Sequence, residues 1–214
     1  MKYKQSFIFV MIYIFILFTG IACAEESNFK PTSYSGQELI NGLKIDKPLK
    51  FCNETVPLND IEIRERMERE LLYAMEHNGE VISWLKRASR FFPHIEKVLK
   101  KNSMPDDLKY ITIAESALKP LATSNKGAVG YWQFIEATGS RYGMEIDAAI
   151  DERRNFFSST EAAIAYLKDL YAIFGSWTLA AAAYNMGEEG LKAEMMMQGV
   201  NNYYQLYLSQ ETQR

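Results

Sequence analysis

From Asp60 onward, apolar side chains recur at helical spacing: Ile63, Met67, Leu71 and Met75 stand every fourth residue, with arginine and glutamate between them. Such a pattern turns one face of an α-helix to a core and the other to water, and Asn59 or Asp60 can cap its start. "VISWLKRASRFF" continues helically, and Pro93 can open "HIEKVLKK" as a new helix. Pro105, with Ser103 before it and Asp106 and Asp107 after it, can open another. Further on, Ser158 and Glu161 have capping-box spacing ahead of "AAIAYLKDLYAIF", which Gly175 ends. Ser176 then caps "WTLAAAAYN", and Gly187 terminates it. No run of β-branched residues alternates at period two, so the chain is predicted to be all-α, one globular domain of consecutive short helices.

Two stretches depart from this periodicity. Lys2 and Lys4 precede an uninterrupted apolar segment from Phe7 to Phe18, followed by "TGIACAEES". This reads as an export signal over residues 1–24 with cleavage after Ala24, although Cys23 in "GIAC" also resembles a lipoprotein cleavage site. The apolar run is short for a bilayer span, which needs about 20 residues. Residues 25–58 scatter Ser, Asn, Gly and Pro without period and read as a loosely packed leader to a domain over 59–214.

Composition narrows the function more than the fold. The 214 residues are 48% hydrophobic and 13% aromatic, enough for one substantial core and short for two. Net charge is −3, with 24 basic and 27 acidic residues interspersed, which disfavours nucleic acid as a partner. Cys23 and Cys52 are the only cysteines, so removal of a signal leaves Cys52 without an intramolecular partner. His77 and His94 are the only histidines, and no closely spaced Cys/His group suggests zinc. No cofactor and no metal are expected.

Within this frame Glu115 stands out. On a helix begun at Pro105 it shares a face with Leu108, Ile111 and Leu118. Carboxylates are seldom placed on an inward stripe, and desolvation there pushes the pKa up, toward a group able to donate a proton near neutral pH. The plainer alternative is a helix-end acid that meets Lys119 or a backbone amide. Directly afterwards, "LATSNKGAVGYWQF" gathers hydroxyl, amide and aromatic groups around Gly127 and Gly130, the materials of a sugar site. Tyr131 and Trp132 would offer flat faces, and Gln133 a donor and an acceptor; alternatively, the aromatics are core. In "AAAAYNMG", four alanines allow close helix packing and bring Tyr184 and Asn185 out together.

In order and spacing, "AESALKP", "ATSNKGAVGYWQF", "IDERRN", "STEAAIAYLKDLY" and "WTLAAAAYNMG" resemble the lytic transglycosylase domain of the goose-lysozyme-like superfamily. Upstream, "FCNETVPL", "RERMERELL" and "IEKVLKKNSMPDDLKYITIAES" resemble the branch called membrane-bound lytic murein transglycosylase D. The resemblance implies a lysozyme-like fold around a glycan groove and cleavage of the bond between N-acetylmuramic acid and N-acetylglucosamine in peptidoglycan. It implies Glu115 as acid and then base, with Ser124, Gln133, Tyr184 and Asn185 as substrate contacts and Trp132 at a subsite. Met186 departs from the alanine frequent there, and the ending "SQETQR" reads as cut within a helix.

Paired-carboxylate glycosidases need a second acid about 5 to 9.5 Å from the first. The motifs offer one, and one suffices where the substrate's own 2-acetamido and 6-hydroxyl groups take part. A hydrolase with Asp147 or Asp151 as base, and a glycan-binding module without activity, are the competing readings; Asp151, near Arg153 and Arg154, fits a structural role better. Expected partners are peptidoglycan strands, with membrane attachment through an uncleaved signal or a lipidated Cys23 as an option, in the periplasm or cell envelope.

Overall fold

A computed structural model describes residue 45 and residues 47–208. The expected signal at 1–24, most of the leader and the final "SQETQR" lie outside the described residues.

Among the described residues seven α-helices dominate, preceded by a two-stranded antiparallel hairpin. The strands are β1 (Lys50–Phe51) and β2 (Glu54–Thr55), joined by Cys52 and Asn53, both at positive φ as a tight primed turn requires. The helices are α1 (Ile61–Glu76), α2 (Asn78–Lys101), α3 (Ile111–Ser116), α4 (Glu136–Arg141), α5 (Phe156–Phe174), α6 (Trp177–Met186) and α7 (Glu188–Gln198). Short 3-10 turns at Asp106–Tyr110, Glu152–Arg154 and Tyr203–Gln205 link them. Among the described residues no helix is long and apolar enough to cross a membrane.

Several sequence signals act as expected. Asp60 accepts from the amides of Glu62 and Ile63 and starts α1; Ser176 accepts from Leu179 and starts α6; Gly175, in the left-handed region, ends α5. Others are corrected. Pro93 opens nothing: α2 runs through it as one 24-residue helix. Packing of Trp84, Ala88, Phe92, Ile95 and Leu99 along one face outweighs the hydrogen bond that a proline removes. Nor do Ser158 and Glu161 form the cap of α5. Asn155 does, accepting from the amides of Phe157 and Ser158, while Ser158 donates to Glu152.

The hairpin is the larger surprise. Phe51, Cys52 and Val56 are buried in the core, so the chain from about residue 49 belongs to the domain and not to a loose leader. The Cys52 amide donates to Asp107 at 2.6 Å, tying the turn to the 3-10 segment that leads into α3. Glu54 reaches the start of α6, where its carboxylate accepts from the amides of Trp177 and Thr178 and from the hydroxyls of Ser176 and Thr178. An acid at a helix N-terminus meets both unpaired amides and the positive end of the helix dipole. One hairpin thus anchors the two helices that carry Glu115 and Tyr184.

The core centres on α5 against α6. Ala162, Ala163, Ile164, Leu167 and Leu170 meet Leu179 and the four buried alanines Ala180, Ala181, Ala182 and Ala183. Alanines at the contact let the helix axes approach closely.

Candidate active site

Pro105 opens a 3-10 turn, Asp106–Tyr110, and α3 starts only at Ile111, with Glu115 its penultimate residue. Leu108 in the turn, Ile111 in the helix and Leu118 just past its end are fully buried, while Glu115 itself is half-buried. The helix stops immediately after it: Ala117 and Leu118 both adopt positive φ, at 52° and 57°. Left-handed backbone at two successive non-glycine residues costs roughly 1 kcal/mol each and persists only when the surroundings enforce it. Here they do. The Ala117 amide donates to Ile113, the Leu118 amide to Thr112, Leu118 is packed in the core, and the Ser116 hydroxyl donates to the Tyr131 carbonyl at 2.7 Å.

That last bond joins α3 to the segment following it. Between residues 122 and 134 the chain folds back on itself, with the Gly130 amide on the Ala122 carbonyl and Val129 bridged to both Thr123 and Phe134. Gly130, at φ +83°, lies so close to Arg153 that a Cβ there would sit 1.9 Å from its carbonyl oxygen. Ser124 closes a small turn by accepting from the amides of Lys126 and Ala128, leaving its own proton to donate. Gln133, at φ 52°, donates from its amide nitrogen to the carbonyls of Ala122 and Gly130. Its amide oxygen meets no donor among the described residues.

From the opposite side α6 delivers Tyr184, whose hydroxyl donates to the Trp132 carbonyl at 2.8 Å, and Asn185, which is exposed in the last turn. Burial first, then the charge of Glu115, then Tyr166 hold the Tyr184 hydroxyl well above its ordinary pKa of 10.0. The hydroxyl therefore stays protonated and lies within electrostatic reach of Glu115. Glu115, Gln133 and Tyr184 come together around the carbonyls of Tyr131 and Trp132, with Ser124 on the same folded segment.

Trp132 does not follow its sequence reading. It is 0% exposed, and its ring nitrogen donates to Thr160 at 3.0 Å; Tyr131 is likewise buried. The flat faces expected at a sugar surface are core faces, because the left-handed turn at Gly130 and Gln133 directs them inward. What Trp132 turns toward Tyr184 is its backbone oxygen, which accepts from the Tyr184 hydroxyl.

Asp151 takes the structural role favoured above. It holds Arg153 by two hydrogen bonds of 2.7 and 2.8 Å, and Arg153 in turn donates to the carbonyls of Gly127 and Phe134. The Arg153 bonds lower the Asp151 pKa, and the amides of Ile150 and Ala149 lower that of Asp147, which makes both acids weaker bases.

Sequence reasoning passed over two contributors. The Tyr166 ring packs 5.3 Å from that of Tyr184. Arg141 lies over the rings of Tyr142 and Tyr166 and pairs with Glu188 at 3.3 Å, clasping the junction that follows Asn185. Tyr166 shares the core stripe of Ala163, Leu167 and Leu170, which looks the same whether its ring meets a site or a core.

The model of the Transglycosylase SLT domain family matches residues 92–205, more than half of the chain and the span that holds every site residue above. The chain belongs to this family. Membrane-bound lytic murein transglycosylase D of Escherichia coli, from strains K12 and O6:H1, is 34% identical over 164 residues, or 74% of this chain and 35% of that protein. A putative tributyltin chloride resistance protein of an Alteromonas species is 33% identical over 110 residues, 50% of this chain and 53% of that one. The chain spans about a third of the length of the Escherichia coli relatives. As a Transglycosylase SLT domain, it has the all-α architecture expected of the family.

Proposed function

We propose that the protein is a peptidoglycan lytic transglycosylase, cleaving the β-1,4 bond between N-acetylmuramic acid and N-acetylglucosamine with Glu115 as the proton-transfer group. The observation that carries this reading is the placement of Glu115 at a strained helix end, electrostatically coupled to the Tyr184 hydroxyl. Glu115 gives its proton to the glycosidic oxygen as that bond breaks. The substrate's 2-acetamido oxygen stabilises the positive charge left on the anomeric carbon. The muramyl 6-hydroxyl then attacks that carbon and returns its proton to Glu115, leaving a 1,6-anhydro end. Intramolecular attack has a large proximity advantage over water. Ser124, Gln133, Tyr184 and Asn185 hold the acetamido group and the distorted ring, and no metal enters the scheme.

Family membership and the similarity to membrane-bound lytic murein transglycosylase D of Escherichia coli support this substrate class. The lowered pKa values of Asp147 and Asp151, which make their carboxylates weaker bases, speak against water activated by either. We further propose export through residues 1–24 to the cell envelope. Digestion of purified sacculi by wild type and Glu115→Gln, followed by mass spectrometry, tests the activity. Anhydro ends from wild type alone are expected. Reducing ends would make the enzyme a hydrolase, and equal release by both proteins would remove Glu115 from the chemistry.

A further inference from the structure

Helix α2 carries six lysines and arginines, one histidine and two acids in a chain whose net charge is −3. Five of its side chains, Arg87, Arg90, His94, Lys97 and Lys101, fall within a sector about 80° wide and extend over about 21 Å. Neither acid neutralises the stripe: Glu96 is turned to Lys109 at 2.6 Å, and Glu80 lies seven residues before Arg87. Among the described residues no ion pair engages its four arginines and lysines. Arg87 Nε and His94 Nε2 are covered by neighbouring atoms and have no hydrogen-bond partner among the described residues. Beside His94 stands Phe157, 62% exposed, its ring edge-on to the imidazole at 4.8 Å.

Two contacts connect this stripe to the candidate site. Arg90 sits over the Phe91 ring, which packs 5.1 Å from Tyr131, the residue whose carbonyl holds Ser116 next to Glu115. Three residues before Phe157, Arg154 donates to Pro120 and Thr123, on the segment running from Glu115 to Ser124. The stripe is therefore a lateral continuation of the site. In an intact strand the muramyl lactyl group is bound in the amide to the stem, so the sugars are neutral and the free carboxylates lie in the peptide stems. A single carboxylate would engage one or two cations, so a row this long fits several stems along a strand.

We infer that the α2 stripe, with Phe157 at its edge, docks the anionic peptide stems of the glycan being cleaved; this rests on the proposed function. It makes the enzyme selective for stem-bearing over naked strands, through long-range attraction that salt screens.

The test compares full-length wild type, Arg90→Glu/Lys97→Glu and the charge-keeping Arg90→Lys/Lys97→Arg on strands with stems and on strands stripped by an amidase. On stem-bearing strands the charge reversal should raise KM about tenfold with kcat kept, while the charge-keeping variant matches wild type. On stripped strands, which keep only the lactyl carboxylate that the amidase frees on each muramyl ring, the charge reversal should change KM by less than about twofold. Equal loss on both substrates, or no loss on either, would overturn the inference. So would unchanged glycan kinetics combined with lost binding to vesicles of anionic phospholipid, which would assign the stripe to a bilayer. Should wild type cleave neither substrate, the proposed function fails separately. Cosedimentation of Glu115→Gln, with and without the reversal, on the two kinds of strand then decides the stripe.

Discussion

The two halves of the site are held by opposite physics. The 117–134 segment, bearing Ser124 and Gln133, has almost no regular structure; left-handed residues, one glycine contact and the buried Arg153 guanidinium set its path. Helix α6, bearing Tyr184 and Asn185, is regular throughout, with alanines packed on α5 and Glu54 capping its start. Polar bonds are directional and fail when one partner is lost; apolar packing is graded and fails when volume changes. The difference explains how one side can carry backbone strain next to Glu115 while the other presents Tyr184 from a rigid rod.

That contrast can be broken from either side. Glu115→Gln should leave both halves intact and abolish glycan cleavage, as read by product analysis. Gly130→Ala should destabilise the fold by about 4 kcal/mol, because it joins a positive φ to a backbone clash at Arg153; denaturant midpoints measure it. Arg153→Leu should cost about 3 kcal/mol, since Asp151 and the Gly127 and Phe134 carbonyls lose their partner together. On the helix side, Ala181→Leu should cost about 2 kcal/mol by overpacking α5 against α6, and the Tyr184 hydroxyl should retain its bond to Trp132.

The smallest effect is a pH dependence. Arg153 depresses the Asp151 pKa below its ordinary 3.8. The pair therefore stabilises the fold fully above that value and loses its contribution as pH falls through the depressed one. Acid unfolding followed by circular dichroism should show this loss, and Arg153→Leu should remove it. An unchanged acid limb in that variant would show that Asp151 is held by something other than Arg153.

Local signals were legible where one residue acts on its own neighbours. Asp60, Gly175 and Ser176 mark helix ends because a cap needs a side chain or a flexible backbone within three positions. Pro93 misled because its local cost is smaller than the burial gained by keeping α2 continuous. Trp132 misled because the handedness of the preceding turn, which no spacing encodes, decides which way its ring points. The hairpin was missed because two-residue strands have no period to detect, and the value of Glu54 depends on a helix more than a hundred residues away.

By itself, the sequence determined the helical class, the placement of Glu115 on an apolar stripe and the set of polar residues that accompany it, since periodicity and residue chemistry are properties of short segments. Only the tertiary structure decided which of those residues meet, that Asp151 is committed to Arg153, that the Trp132 ring is core, and that Phe91 of α2 packs on Tyr131. Each of these depends on contacts between segments distant in the chain, fixed by packing and by where buried polar groups find their partners.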